Sequence, residues 1–151
     1  MSFLISAFVV GVACGLRALV GLAAVSWAAS SGNLPLQGTW LAFWGFRATS
    51  FITSLLGIFE LVTDKLPKTP SRLVPPQFGA RVSMGALTGA AIGLSHGHLL
   101  MGLLSGIVGS ILGTLAGYRA RAVAARLFGR DLPAALFEDV VAIALLFLTL
   151  R

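Results

Sequence analysis

Acidic residues, cysteine and histidine are all scarce in this sequence. Five acidic residues stand against eleven basic ones among 151 residues, and charged residues make up 11% of the chain. Because soluble domains carry about 25% charged residues, this chain has too few to cover the surface of a water-soluble globule. A disordered chain is excluded for the opposite reason, since hydrophobic residues make up 57% and the mean hydropathy is +0.94. The composition therefore predicts an integral membrane protein.

The scarce residue types also exclude several kinds of site. A single cysteine, Cys14, cannot form an intrachain disulfide. The two histidines, His96 and His98, have no carboxylate near them in the sequence, so we predict no metal site. The sequence contains no Gly-x-Ser-x-Gly, Walker or His-Glu-x2-His motif, and we predict neither an enzyme nor a bound cofactor. The net charge of +6 is explained by basic loops at a membrane surface rather than by nucleic acid.

Apolar segments separated by helix breakers predict an all-α, polytopic fold in one domain, 1–151. At about 20 residues per spanning helix there is room for four or five spans. We predict five, over residues 3–29, 48–63, 79–94, 99–118 and 134–150. The first is long for a hydrocarbon core of about 30 Å, so it must tilt, break or begin at the interface, with Gly11 and Gly15 as candidate break points. We place residues 39–46, which contain two tryptophans, at the headgroup level.

Basic residues concentrate in two of the loops and at their edges. The segments between spans two and three and between spans four and five hold eight of the eleven, which are Lys65, Lys68, Arg72, Arg81, Arg119, Arg121, Arg126 and Arg130. Both loops fall on the same side of a five-span protein, and this side is cytoplasmic by the positive-inside rule. We therefore predict a bacterial inner-membrane protein with its N-terminus inside, its C-terminus outside and membrane lipids as partners.

Glycines recur every fourth residue in spans three and four. Span three carries Gly85, Gly89 and Gly93, and span four carries Gly102, Gly106, Gly109, Gly113 and Gly117. This spacing aligns glycines along one stripe of a helix, where two backbones can approach closely in a membrane. We predict a glycine-zipper hairpin of spans three and four, with a glycine-lined pore or a dimer face as alternatives. Because five short helices bury little interior, we also expect a homo-oligomer.

Charged residues inside the predicted spans need partners. Arg17 lies near the middle of span one, where an arginine costs about 2.5–3.5 kcal/mol on insertion scales. Four carboxylates fall toward the predicted inner side and form with Arg17 a candidate substrate or ion pathway, namely Glu60, Asp64, Glu138 and Asp139. We expect Glu60 to be the partner of Arg17, either directly through a break in span one or across a water-filled pocket. The alternative is that the carboxylates only neutralise nearby basic residues.

The proline-rich segment 64–78 and its surroundings supply candidates for contacts with phosphate or lipid headgroups. These candidates are Lys65, Lys68, Arg72 and Arg81. A weak internal echo also links the two halves of the chain, because the pattern of residues 15–21 recurs at 79–85 and Phe59-Glu60 recurs as Phe137-Glu138. Repeats of this kind are common in transporters. A duplication and a chance match both remain open.

Residues 60–67, Glu-Leu-Val-Thr-Asp-Lys-Leu-Pro, resemble the Glu-x3-Asp-Lys-x-Pro signature of the bacterial membrane proteins catalogued as domain of unknown function 4126. Residues 15–18 and 138–142 fit the same pattern, and the resemblance covers about residues 10 to 150. The family has an acidic stretch after the proline, whereas residues 68–72 are Lys-Thr-Pro-Ser-Arg. The resemblance implies a small polytopic membrane protein without a stated activity. It singles out Arg17, Glu60, Asp64, Lys65 and Glu138.

Three functions are compatible with these features. The first is a transporter or channel for an ion or small solute, in which Arg17 and the inner carboxylates form the polar site. The second is a protein that binds or flips lipids through their phosphate groups, using the basic residues around the proline-rich segment. The third is a non-transporting membrane scaffold or assembly factor, in which the charges are structural. We favour the first of these.

Overall fold

A computed structural model of the chain describes residues 2–66 and 71–151. Within these residues the protein is all-helical and contains no β-strand, as the composition predicted. The helices are α1 (Phe3–Leu16), α2 (Ala18–Ser30), α3 (Arg47–Thr63), α4 (Pro75–Ser95), α5 (Leu99–Phe128) and α6 (Asp131–Leu150), with a short 3-10 helix at Ala42–Gly45 before α3. The last four helices cover the last four predicted segments and extend beyond them.

Local sequence explains where the later helices begin and end. α4 starts with two prolines. Proline suits the first turn of a helix, because the backbone N–H that it lacks would have no partner within the helix there. α5 runs through the basic segment that follows residue 118 and ends at Gly129, whose φ of +66° favours glycine. The sequence predicts a span to residue 118 that can continue as a basic helix up to the breaker at Gly129, and the structure shows this continuation, ten residues beyond the apolar span.

The first apolar segment forms two helices rather than one. α1 ends at Leu16 and α2 begins at Ala18, with Arg17 between them in an extended conformation at φ −140° and ψ 98°. The break lies at Arg17, two residues after Gly15. Gly11 and Gly15 are both inside α1, where an added Cβ atom would collide with the backbone of α5. Their role is therefore close helix packing.

α5 packs against α4 on one face and against α1 on another. On the α4 side, a Cβ atom at Gly89 would lie only 2.8 Å from the Cα atom of Gly106. Gly113 instead faces α1, where a Cβ atom would lie 2.9 Å from the Cα atom of Val12. Glycines of α5 therefore serve two contacts. The sequence predicts that Gly109 and Gly113 pack against span three. This is corrected, because both glycines face α1 instead.

One end of the bundle is tied together by the turn between α4 and α5. Gly97 adopts a φ of +76°, which glycine reaches without strain. The N–H of His98 donates to the carbonyl oxygen of Gly93 at 2.8 Å. The ring of Phe3 stacks on both His96 and His98, with centroid separations of 5.3 Å. These contacts hold the start of α1 beside the turn.

The outward faces of the longest helices are apolar. α5 and α6 are long and apolar enough to cross a membrane, judged by length and composition alone. Only 33% of the most apolar stretch of each helix is buried. On α5, for example, Leu104 is 57% exposed and Val108 is 50% exposed. The apolar residues of these two helices therefore lie on the outer surface of the bundle as well as in its core.

Candidate functional site

Charged side chains gather where α3 and α5 end and where α4 and α6 begin. We call this group the charge cluster. It contains all five acidic residues of the chain and five of its basic residues, namely Glu60, Asp64, Asp131, Glu138 and Asp139 with Arg17, Lys65, Arg72, Arg81 and Arg121. The structure thus brings together the four predicted carboxylates and Arg17. It adds Asp131 and Arg121, which the sequence argument had not placed in the site.

The end of α1 at the helix break is satisfied by a side chain from α4. The last carbonyl groups of a helix have no partner within the helix and carry partial negative charge. Arg81 Nη1 donates to the carbonyl oxygen of Leu16 at 2.7 Å and to that of Gly15 at 3.2 Å. The hydroxyl of Thr114 also donates to the carbonyl oxygen of Gly15 at 3.2 Å. A buried cation therefore lies where the α1 dipole favours one.

The start of α2 is satisfied by a carboxylate from α3. Glu60 accepts from the backbone N–H of Ala18 and of Leu19 at 2.8 Å each, and from that of Val20 at 3.2 Å. These are the amide groups that a helix N-terminus leaves unpaired, and their partial positive charge favours an anion. Glu60 is therefore the cap of α2. The expectation that Glu60 pairs with Arg17 is corrected, because the Glu60 oxygens accept from the backbone N–H groups at the start of α2.

Arg17 itself is completely buried and faces two other carboxylates. Its Nε donates to Asp139 Oδ1 at 2.5 Å, and its Nη1 donates to Asp64 Oδ2. Its Nη2 lies 3.9 Å from Glu138 Oε2. Removing a charge from water is costly unless it is paired and hydrogen-bonded, and removing one partner of a buried pair costs more than the pair contributes. The extended backbone at Arg17 thus directs its guanidinium toward α3 and α6.

The predicted headgroup-binding residues are paired with carboxylates. Arg72 donates from both Nη atoms to the two carboxylate oxygens of Glu138. Lys65 Nζ donates to Asp139 Oδ2 at 2.6 Å. Lys68 lies outside the described residues. The sequence argument favoured two separate sites, with neutralisation of nearby basic residues as the alternative, and the fold interleaves the two groups.

Asp64 links the two arginines that flank the break. One of its oxygens, Oδ2, accepts from Arg17 and lies 3.4 Å from Arg81 Nη2. Two buried nitrogen atoms of these arginines, Arg17 Nη2 and Arg81 Nε, have no hydrogen-bond partner within the described part of the chain. The cluster is therefore balanced in charge but not fully satisfied in hydrogen bonds.

A cavity of about 570 Å³ with a mixed polar and apolar lining opens beside the charge cluster, and we call it the inner cavity. Its walls combine hydroxyl, basic and acidic side chains from the loop after α3 and from α4, α5 and α6. The polar members are Asp64, Lys65, Ser71, Arg72, Arg81, Tyr118, Arg121 and Asp131. A second cavity of about 420 Å³ lies on the other side of Asp64 and Arg81, which line both. The Asp64–Arg81 contact thus separates two cavities.

The sequence argument missed Arg121 as a site residue. Arg121 forms two hydrogen bonds with Asp131, at 2.9 and 2.6 Å, across the turn from α5 to α6. A signal was present, since an acid ten residues after an arginine on either side of a Gly-Arg turn can fold back onto it. The basic residue had been counted only toward membrane orientation.

Comparison of the chain with protein-family models, with curated proteins and with solved structures finds no match. The site must therefore be interpreted from its own residues.

Proposed function

We propose that this chain is a small multi-pass membrane protein that transports an ion or small solute, with the charge cluster as its polar site. The carrying observation is the helix interrupted at Arg17, whose two ends are satisfied by Glu60 and Arg81. Arg81 lines the inner cavity, and both residues line the second cavity. Interrupted helices that present their ends to a polar site are a recurring device of membrane transporters.

The distribution of polarity supports the membrane part of the proposal. Arg17 is fully buried and Arg81 is 3% exposed, whereas Leu55 on α3 and Phe147 on α6 are 69% and 68% exposed. A water-soluble protein places these residue types the other way round. With the α1–α2 segment counted once, the chain would cross the bilayer five times, and the α4–α5 hairpin would pack through its glycines as expected for helices in lipid.

The position of the charges supports the transport part. Ionisable residues within a membrane are costly and commonly mark pathways for ions or substrates. Non-helical backbone at membrane depth is tolerated where protein or a polar cavity satisfies it. Arg17 combines both features. We further propose an inner-membrane location with the charge cluster near the cytoplasmic side, and a homo-oligomer because one protomer of 15.7 kDa offers little room for a complete path.

A structural role is the second candidate, and one observation favours it. Each carboxylate of the cluster already has a basic or backbone partner, as in a scaffold held together by its charges. In that case the cluster would fix helix positions without binding a solute. The two functions differ in whether removing one charge of the cluster abolishes a flux or only lowers stability.

The test is a flux assay on the full chain in reconstituted vesicles. Uptake is measured for labelled phosphate, sulfate, acetate and sodium, and for protons with an internal pH dye. We expect uptake of at least one of them above that of empty vesicles, and its loss in Glu60→Gln. The glutamine removes the charge and keeps one acceptor oxygen, so it can satisfy the α2 amides that one of the two Glu60 oxygens serves but not those of the other. Arg47→Gln is the matched control, because Arg47 is exposed on the same helix.

The melting temperature in detergent is measured for both variants in parallel. Loss of flux in Glu60→Gln, with a melting temperature close to that of the unchanged protein and normal flux in Arg47→Gln, supports transport. Absence of uptake for every probe, together with a large loss of stability in Glu60→Gln, favours the scaffold and contradicts the proposal.

A further inference from the structure

The inner cavity has a chemistry that the charge cluster alone does not explain. We propose that it binds a phosphate-type oxyanion, either a free anion or the phosphate of a lipid headgroup. This inference rests on the proposed function in taking the cavity as the solute site, and it adds the class of the solute.

The balance of charge in the cavity wall favours an anion. Among the described residues, four basic side chains line it, namely Lys65, Arg72, Arg81 and Arg121, against two carboxylates, Asp64 and Asp131. The other three acids do not line the cavity: Glu60 accepts from the α2 amides, and Glu138 and Asp139 accept from Arg72, Arg17 and Lys65. The charge cluster as a whole is balanced, but within the described residues the wall that lines the cavity has more basic than acidic groups, and such a wall concentrates anions.

The basic side chains keep hydrogen-bond capacity toward the cavity. Lys65 Nζ has three donors, and within the described residues two are used, by Asp139 Oδ2 at 2.6 Å and the carbonyl oxygen of Leu61 at 2.7 Å. Within the described residues the nearest carboxylate to Arg121 Nη1 is Glu138, whose Oε2 lies 3.8 Å away, beyond hydrogen-bond distance. Arginine and lysine donors on separate helices match the several acceptor oxygens of a phosphate group.

The rim of the cavity offers a pair that an entering anion can exchange. Arg121, whose side chain is 18% exposed, is bound to Asp131, whose side chain is 62% exposed. Water reaches the pair from the Asp131 side and screens it there. A phosphate group can therefore replace Asp131 as the partner of Arg121, and the released carboxylate returns to solvent. The hydroxyls of Ser71 and Tyr118 in the same wall are further donors to oxyanion oxygens.

A cation is a poorer fit to the same space. A divalent cation needs several oxygen ligands that point to one position. The deeper of the two wall carboxylates, Asp64, already accepts from Arg17 and Arg81. A cation in the cavity would also face four positively charged side chains. The wall therefore selects for negative charge.

The second cavity gives the reason to test both sources of phosphate. It meets the inner cavity at Asp64 and Arg81, and its other walls include the apolar residues Leu19, Phe59 and Met84. A lipid bound with its phosphate at the basic wall would have apolar surface close by for an acyl chain. A free anion would occupy only the inner cavity.

The experiment uses the full chain in nanodiscs. In one arm the discs contain only phosphatidylcholine, and inorganic phosphate is titrated by calorimetry, with chloride as the comparison anion. In the other arm phosphatidic acid is added to the discs, and its binding is measured by native mass spectrometry after release into detergent. Both arms are run on the unchanged protein, on Lys65→Gln and Arg121→Gln, and on Arg119→Gln as the matched control. Arg119 is exposed on the same helix as Arg121 but does not line the cavity.

We expect binding in at least one arm, weakened about 10- to 100-fold in Arg121→Gln and Lys65→Gln, as for the loss of one charge-assisted hydrogen bond, and unchanged in Arg119→Gln. Binding of inorganic phosphate identifies a free anion, and binding of phosphatidic acid alone identifies a lipid headgroup. Absence of binding in both arms, equal binding of chloride, or equal losses in Arg119→Gln and Arg121→Gln would overturn the inference. Binding without flux would defeat the transport proposal alone, and flux of another probe without phosphate binding would defeat this inference alone.

Discussion

At the scale of single residues, the most demanding feature is a fully buried arginine. Arg17 is accommodated because its guanidinium meets Asp64 and Asp139, while Glu60 and Arg81 satisfy the two helix ends that its extended backbone leaves open. Each charge therefore has either a charged partner or a helix end of opposite polarity. The arrangement couples residues that are far apart in sequence.

The first prediction concerns Arg17→Met. Methionine keeps much of the volume but leaves Asp64 and Asp139 without their shared cation. Removing one partner of a buried ion pair costs about 3–5 kcal/mol, so we expect a loss of this size in the free energy of unfolding, measured by denaturant titration in mixed micelles. Arg17→Met leaves the charge cluster with one more acidic than basic residue, so adding Asp139→Asn should recover part of the loss by restoring the balance of charge, even though Lys65 then loses its carboxylate partner.

Arg47→Met is the control for this prediction, because Arg47 is exposed on α3 and its loss leaves no buried charge unpaired. We expect its free energy of unfolding to match that of the unchanged protein. Equal stability of Arg17→Met and Arg47→Met would mean that the Arg17 pairs contribute nothing, and the description of the cluster as a stabilising network would be wrong.

Part of the residue-scale result could be predicted from the sequence. The cost of an arginine at mid-depth predicted that Arg17 needs a partner, and the one-sided distribution of acids predicted where the partners are. The identity of the partner could not be predicted. Glu60 and Asp64 are one turn apart on the same face of α3, and choosing between them requires the position of the helix break to within a residue.

At the scale of helices, glycine decides which elements touch. Gly89 of α4 faces Gly106 of α5, while Gly113 of α5 faces Val12 of α1. The spacing of glycines predicts a stripe suited to close packing, but it does not name the partner helix. The α4–α5 contact could be anticipated because a short turn joins the two helices. The α1–α5 contact could not, since about 80 residues separate α1 from α5.

The second prediction compares Gly89→Ala with Gly79→Ala on the same helix. The added methyl group at position 89 would lie 2.8 Å from the Cα atom of Gly106, and a backbone cannot move aside as a side chain can. We expect Gly89→Ala to lower the free energy of unfolding by about 1–3 kcal/mol, as for overpacked interiors. A Cβ atom added at Gly79 would have no atom of another helix within 4 Å among the described residues.

Gly79→Ala should therefore leave stability unchanged or raise it by up to about 1 kcal/mol, because alanine favours helix more than glycine does. Both variants are measured by thermal melting in the same detergent. Opposite signs for the two substitutions support backbone contact between α4 and α5. A loss of similar size for both would indicate that glycine is needed for helix flexibility instead, and would contradict the packing argument.

At the scale of the whole molecule, buried charged side chains and outward-facing apolar side chains reverse the arrangement of a water-soluble protein. The apolar side chains of α5 and α6 face outward, and the charge cluster lies at one end of the bundle, beside the basic segments. Composition predicted a membrane protein, because so few charges cannot cover the surface of a water-soluble globule. The apolar segments between helix breakers predicted that the protein is all-helical. Neither could predict the cavities, which depend on how the ends of α3 to α6 meet in space.

The last prediction concerns the orientation of the chain in the membrane. The segments after α3 and after α5 carry most of the basic residues, so the positive-inside rule places the charge cluster and the inner cavity on the cytoplasmic side. Two exposed positions at opposite ends of α4, Ser71 and His96, report on the two sides. In a Cys14→Ser background, each is changed to cysteine and labelled in intact cells with a membrane-impermeant thiol reagent. Serine at position 14 keeps a hydrogen-bonding group for Thr88, the partner of the buried thiol.

We expect labelling of His96→Cys before lysis and of Ser71→Cys only after the membrane is opened. The reverse pattern would place the basic loops outside, and the inner cavity would then face the wrong compartment for a cytoplasmic phosphate. Labelling of both positions in intact cells would mean that α4 does not cross the membrane, and the five-span arrangement would be wrong.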